Sequence, residues 1–264
     1  MEKNISRRSP EYNFFGNFYI EWDNSIEGYL IDKKQTLNER TTEEVNGIIK
    51  LTKIDAWAKI LDCPCGYGRH SIQLAKNNLL VTGSDINETH LSRAKANALQ
   101  ENTDIVWEKE SMIDIRYDNE FDVVINMFYS FGFFETDEEN EKVLKNFYDA
   151  LKKNGRFLMH TDVNIPRIIS GKYKKDEIRN LQNGNTLRII DDYNPATKRI
   201  EWARIITDKQ WMSEKKEYSV RVYTKEEFVE LCKKVWFTQV ETFSNWDGEP
   251  YSPEAEDMII IATK

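Results

Sequence analysis

Ile60-Leu61-Asp62-Cys63-Pro64-Cys65-Gly66-Tyr67-Gly68-Arg69-His70 is the stretch on which the reading of this chain turns. A short apolar run, Lys59 to Leu61 after Ala56-Trp57-Ala58, ends in an acid and a turn carrying two glycines. A helical pattern follows, with Ile72, Leu74 and Ala75 on its apolar side. The order is strand, tight loop, helix. Gly66 and Gly68 let backbone pass close to a ligand with no Cβ in the way. A second strand-like run, Leu79 to Ser84, ends at Asp85, roughly 20 residues beyond Asp62. An acid at the tip of the second strand of a βαβ unit is where such folds hold ribose hydroxyls. The two signals together predict a cofactor that contains a nucleoside.

The departures from other nucleotide loops narrow the choice. The frame Pro64-x-Gly66-x-Gly68 lacks the spacing of a dinucleotide fingerprint, and no G-x-x-x-x-G-K-[ST] loop occurs. An acid at 62, before the loop, is awkward beside a pyrophosphate but suits a ligand with an ammonium and a sulfonium. The segment resembles motif I of the class I S-adenosylmethionine-dependent methyltransferases, D/E-x-G-x-G-x-G, with Pro64 at the first glycine and Asp85 at the motif II acid. The resemblance covers roughly 55 to 264 and implies S-adenosylmethionine as cofactor, with S-adenosylhomocysteine as product.

Composition is compatible with an enzyme domain of this kind. The chain has 264 residues, 40% of them hydrophobic and 12% aromatic, enough for a core and against disorder. Net charge is −8, and only Lys172-Tyr173-Lys174-Lys175 resembles a basic patch, which argues against nucleic acid as a partner. Three cysteines, at 63, 65 and 232, with a polar start to the chain and no long apolar run, predict a reducing, cytoplasmic location without membrane contact. Cys63, Cys65 and His70 match no common zinc spacing, so no metal is expected.

Strands and helices continue to alternate. Asn87-Glu88 opens an amphipathic helix through Leu91, Ala94, Ala98 and Leu99; Asp104 to Trp107 and Phe121 to Phe128 read as strands. Thr136-Asp137-Glu138-Glu139 is a capping box for a helix ended by Asn154-Gly155, with a strand over Arg156 to His160. From about 166 to 223 the rhythm changes to some three antiparallel strands. Thr224-Lys225-Glu226-Glu227 opens another helix, and Thr238 to Phe243 with Met258 to Thr263 form a closing strand pair. The expected fold is α/β: a doubly wound, mostly parallel seven-stranded Rossmann-like sheet with an antiparallel terminal strand and a small antiparallel β insertion. Residues 1–50 are expected to form a cap or lid, and 51–264 the cofactor-binding domain with its insertion at 166–223.

The resemblance also assigns roles. The loop Asp62 to Gly68, with Cys63, Gly66 and Gly68, is implied to carry the homocysteine half of the donor, and Asp85 the ribose. Ile86 is implied to pack on the adenine face, Ser111 and Met112 to meet its edge, and Asn126 to open the segment beside the transferable methyl. Aromatic rings there, Tyr129 foremost, suit a sulfonium neighbour. From the residues alone, Arg40, just before a helical stretch from Thr41 to Leu51, is a candidate to meet the donor's carboxylate, with an ordinary surface arginine as the alternative.

On the acceptor side, alternation sets His160, Asp162 and Asn164 on one side of an extended segment. His160 is a candidate general base or orienting residue, with Asp162 as its partner or as an amine site. A histidine at a strand end also serves purely structural roles. Tyr12, Phe14, Phe15, Phe18, Tyr19 and Trp22 read as a closing lid or, equally, as core packing. With the insertion, which carries Tyr173, Trp202 and Trp211, they are expected to form the acceptor pocket or the contact of a homodimer. The expected activity is methyl transfer to nitrogen or oxygen of a small molecule. RNA or protein methylation, and a donor-binding subunit without chemistry, are the alternatives.

Overall fold

The computed structural model describes residues 35–128, 130–171, 176–181 and 183–264. The aromatics at 12–22, Tyr129 and Tyr173 lie outside the described residues. Among those described, no helix is long and apolar enough to cross a membrane.

The central sheet is built from β1 (Lys59–Asp62), β2 (Leu80–Ser84), β3 (Val106–Glu108), β4 (Phe121–Asn126), β5 (Leu151–Thr161), β10 (Gln239–Phe243) and β11 (Met258–Thr263). Its order is β10-β11-β5-β4-β1-β2-β3. The last strand in the chain, β11, runs antiparallel to both its neighbours and sits one place in from the edge. Burial on both faces explains why its inner strands read as unbroken apolar runs. Ile60, Val123, Ile125, Leu158, Ile259 and Ile261 face one core, with Val45 and Ile48 of α1 (Leu37–Thr52) and Leu74 of α2 (Arg69–Lys76). Leu61, Val124, Phe157 and Ile260 face the other, against Val143, Leu144 and Phe147 of α4 (Asp137–Ala150) and Phe228 of α6 (Lys225–Lys234). Helix α3 (Glu88–Gln100) covers the β2–β3 side, and α5 (Ile165–Ile169) follows β5.

Several boundaries differ from the sequence reading. Helix α1 starts at Leu37, capped by a Thr36–Glu39 capping box, so Arg40 lies inside its first turns and not ahead of it. Helix α4 stops at Ala150, because Leu151 is already extended; Asn154 and Gly155 lie within β5 instead of ending the helix. A Cβ on Gly155 would meet Lys152 O at 2.8 Å and Asp122 O at 3.1 Å, so this glycine serves close strand approach.

The insertion holds four strands, not about three: β6 (Asp176–Asn180), β7 (Thr186–Asn194), β8 (Arg199–Thr207) and β9 (Ser213–Arg221), paired antiparallel in that order. The unread strand, β6, is an edge strand with charged residues and an exposed Ile178, which hides it from an apolar-alternation test. A small core of its own joins Ile200, Tyr218, Val220 and Val222 to Val163, Ile165 and Ile168. Gly132, in the segment after β4, binds the end of β9: Arg221 N donates to Gly132 O at 2.8 Å. With φ of 90° and a would-be Cβ 2.1 Å from Arg221 O, only glycine fits there.

Candidate functional site

The carboxyl ends of β1, β2, β4 and β5 converge on the glycine turn, the crevice where open α/β sheets hold ligands. Cys65 N donates to Ser84 O at 2.9 Å and Gly68 N to Cys65 O at 3.0 Å, which folds the turn back on β2. Asp85 then fastens it. Its Oδ2 accepts from Gly66 N and its Oδ1 from Asn87 N, each at 2.8 Å. Asn87 in turn caps α3 by accepting from Thr89 N and His90 N.

The two glycines do different work. Gly66 has φ of 55°, and nothing lies within 4 Å of the Cβ position it leaves vacant. It fronts open space. Gly68 has φ of 82°, and its would-be Cβ would meet Trp107 Cη2 at 2.6 Å and Ala94 Cβ at 3.0 Å. The same Trp107 ring rests on Gly83, where a Cβ would lie 2.5 Å away. Gly68 therefore makes room for the Trp107 indole and helix α3, and it starts α2 in the left-handed conformation.

Beneath the turn, Asp62 is 1% exposed and accepts from Ser71 Oγ at 2.6 Å. Burial pushes its carboxyl up to about 7, against the pull of Ser71 and Arg69, with Asp85 adding to the rise. Asn126 is fully buried; its Nδ2 donates to Cys63 O at 2.9 Å, while Oδ1 has no hydrogen-bond partner among the described residues. Such an atom is a ready acceptor for a ligand's N–H. Cys63, Ser111 and Met112 are buried and Ile86 is half-buried, so Ile86 and Gly66 form the accessible wall of this half of the site. Cys63 and Met112 belong to the core beneath it.

A buried charge network that the sequence reading missed joins α1 to α2. Glu44, 1% exposed, accepts from Arg40 Nε at 2.8 Å, Arg69 Nη1 at 2.6 Å and His70 Nε2 at 2.9 Å. Burial acts to raise the Glu44 carboxyl, but Arg69, the hydrogen bond from His70, and Arg40 outweigh it and hold it well below the usual carboxylate range. Burial, helped by the Arg69 charge, pushes the His70 imidazole down to about 4 despite Glu44. The His70–Glu44 contact is therefore a neutral imidazole donating to a carboxylate. Arg40 and Arg69 stack over the Phe128 ring, at 4.7 and 4.4 Å from its centroid. Phe128 itself has φ of 52°, an uncommon value for a bulky residue and a mark of local strain. The sequence signals were an Arg40–Glu44 pair at i,i+4 and the Arg69-His70 dipeptide after the glycine turn.

His160 departs from its expected setting. It is fully buried; its Nε2 lies 3.2 Å from Asp257 Oδ1, and Nδ1 has no hydrogen-bond partner among the described residues. Its ring meets Phe128 edge-on at 5.0 Å and Trp246 at 5.1 Å. Asp162 does not partner it, because β5 ends at Thr161 and the chain turns Asp162 into solvent. Asn164 is a buried tie, with Nδ2 donating to Pro253 O and Ala255 O and Oδ1 accepting from Tyr251 Oη. It secures the segment that carries Asp257.

A family model described as a methyltransferase domain matches residues 60–155. The chain is 33% identical over 106 residues to the 27-O-demethylrifamycin SV methyltransferase of Amycolatopsis mediterranei (strain S699), covering 39% of each protein. It is 30% identical over 166 residues to the glycine/sarcosine N-methyltransferase of Parasynechococcus marenigrum (strain WH8102), covering 61% of this chain and 54% of the relative. The chain thus spans about half or less of the length of these curated relatives. A crystal structure of an S-adenosylmethionine-dependent methyltransferase from Clostridium acetobutylicum ATCC 824 superposes with a TM-score of 0.74 at 14% identity, over 94% of this chain and 99% of that one. At that identity the likeness is one of fold.

Proposed function

Because the chain belongs to the class I S-adenosylmethionine-dependent methyltransferase superfamily, we propose that it transfers the donor's methyl group to a nitrogen or oxygen of a small molecule. The observation that carries this reading is the open left-handed backbone at Gly66, hydrogen-bonded through its N–H to Asp85. A Cβ would fill that cradle. The unpartnered Asn126 Oδ1 is a second fit, since it lacks the N–H that a donor's ammonium brings.

S-adenosylmethionine supplies an activated methyl on a sulfonium. The protein's part is to position it and to exclude water. Asp85, whose carboxylate already holds the turn, is assigned to the ribose hydroxyls through its remaining lone pairs. Ile86 is assigned to the adenine face and Asn126 to the ammonium. Arg40, set over Phe128, is assigned to the carboxylate, with Glu44 fixing its guanidinium. The insertion at 166–223 is assigned to the acceptor side. Small-molecule acceptors in the names of the relatives, and the net charge of −8, support that choice over RNA.

The test is release of S-adenosylhomocysteine from S-adenosylmethionine in the presence of fractionated metabolite pools, with the methylated product identified by mass spectrometry. Turnover with one fraction and none with bulk RNA or protein is expected. Turnover only with RNA or protein would overturn the acceptor class, and donor binding without turnover in any pool would mark a non-catalytic subunit.

A further inference from the structure

The geometry points to His160 and Asp257 as a pair that takes the proton of the methyl acceptor, with Asp257 as the residue that fixes which ring nitrogen is bare. The inference rests on the methyl-transfer reading above. An ionised carboxylate only accepts hydrogen bonds, so the 3.2 Å contact with Asp257 Oδ1 requires the hydrogen on His160 Nε2. In a neutral imidazole Nδ1 is then a lone pair. That lone pair is buried and without a partner among the described residues. A native interior rarely leaves a polar atom so.

The surroundings suit a ligand group more than a structural bond. Phe128 and Trp246 wall the ring, and neither offers Nδ1 a hydrogen bond in this arrangement. Phe128 keeps its position in a left-handed backbone conformation at the carboxyl end of β4, the segment next to the glycine turn. Trp246 is seated by α1: a Cβ on Gly47 would lie 2.5 Å from Trp246 Cε3. Two independent elements thus hold an imidazole with one satisfied and one vacant nitrogen. An acceptor's N–H or O–H is the missing partner.

In the step, the proton on the acceptor atom passes to Nδ1 as that atom's lone pair forms its bond to the methyl carbon. The carbon–sulfur bond breaks with its electron pair kept by sulfur, and the proton leaves to water. Nothing is oxidised or reduced. The resulting imidazolium is stabilised by Asp257. Among the described residues, His70 of α2 acts on the ring and Arg40 of α1 on Asp257 and Asp162, while Glu44 and Arg69 are tied to these two through the α1–α2 network.

The experiment is nitrogen–proton correlation spectroscopy of histidine side chains in the full chain, with S-adenosylhomocysteine bound. The sequence has three histidines, so His160→Gln assigns the resonances. A hydrogen on Nε2 and none on Nδ1 is expected. A hydrogen on Nδ1 overturns the pair. With the acceptor drawn from the metabolite pool, Asp257→Asn should lower kcat about ten-fold or more, while the affinity for S-adenosylhomocysteine stays unchanged. Asp257→Glu should restore part of the rate. An unchanged kcat in Asp257→Asn also overturns it. Absence of turnover in every pool removes the methyl-transfer reading and the pair's role with it, whereas a wrong tautomer removes the pair alone.

Discussion

Arg69 Nη1 donates to Glu44 Oε2 at 2.6 Å, and both side chains are largely withdrawn from solvent. The bond ties the first turn of the helix after the glycine loop to the middle of α1. Since Glu44 also receives Arg40 and His70, one buried carboxylate gathers three donors from two helices.

Glu44→Gln should therefore be severe. Removing one member of a buried ion network costs about 3–5 kcal/mol, because the remaining charges stay desolvated. Chemical denaturation of the variant should show a loss of that order, along with weaker donor binding as Arg40 and Arg69 shift. A change below about 1 kcal/mol would mean that water replaces the carboxylate and that α1 is only loosely docked.

The two loop glycines should separate. Gly66→Ala meets only backbone strain, about 1–2 kcal/mol for a left-handed residue, yet it places a methyl in the space assigned to the donor. Gly68→Ala adds a clash with Trp107 and Ala94 to similar strain. Gly68→Ala should lose more stability, while Gly66→Ala should lose more affinity for S-adenosylhomocysteine relative to its stability change. Calorimetry and thermal denaturation on both variants read this, and a reversed order would place the ligand elsewhere.

Gly47→Ala in α1 sets two effects against each other. Alanine gains about 1 kcal/mol of helix propensity over glycine, but its Cβ would stand 2.5–2.9 Å from three Trp246 atoms, among them Cβ, which has little freedom to move. Overpacking of about 1–3 kcal/mol should win. In a Trp246→Gly background, which removes the Cβ as well as the ring, the clash is absent, and the same substitution should become stabilising. Additive behaviour in that double-mutant cycle would contradict the packing argument.

Acid stability should show two opposed contributions. His70 falls from 6.5 to about 4 on folding, so its contribution is present above 6.5 and is lost as pH falls toward 4. Asp62 rises from 3.8 to about 7, so its contribution is present below 3.8 and is lost as pH rises to 7. Over the shared window the two largely offset. Glu44, held below 4.5, adds a loss of stability at more acid pH. Asp62→Asn should therefore make Tm fall as pH drops from about 6.5 to 4, and His70→Gln should make it rise. Parallel Tm–pH curves for wild type and both variants would refute the assignment.

Much of this was legible from short-range pattern. The βαβ signature from Ile60 to Asp85 fixes the sheet order around the site, and capping boxes at Thr136 and Thr224 mark helix starts that the structure keeps. The capping box at Thr36 carries the same signal, and α1 was begun too late because Leu37 and Asn38 lack apolar periodicity. What escaped depends on distant partners. Glu44 reads as a surface acid until Arg69 and His70 arrive from another helix, and Asp257 lies far along the chain from His160. Gly155 reads as a helix stop because a glycine needed for close strand pairing carries the same letter.

The bond between Arg221 and Gly132 has an evolutionary reading. The four-stranded insertion meets the rest of the domain at its own small core, at the two chain crossings, at this backbone contact, and through Arg199, which donates to Phe134 O, and Arg221, which pairs with Asp137 and Glu227. Its remaining surface is free to vary without disturbing the glycine turn. A lineage can thus exchange the acceptor-side sheet for new substrates while the donor half is inherited unchanged, provided position 132 stays glycine and the incoming strand presents a backbone N–H and C=O at the place of Arg221.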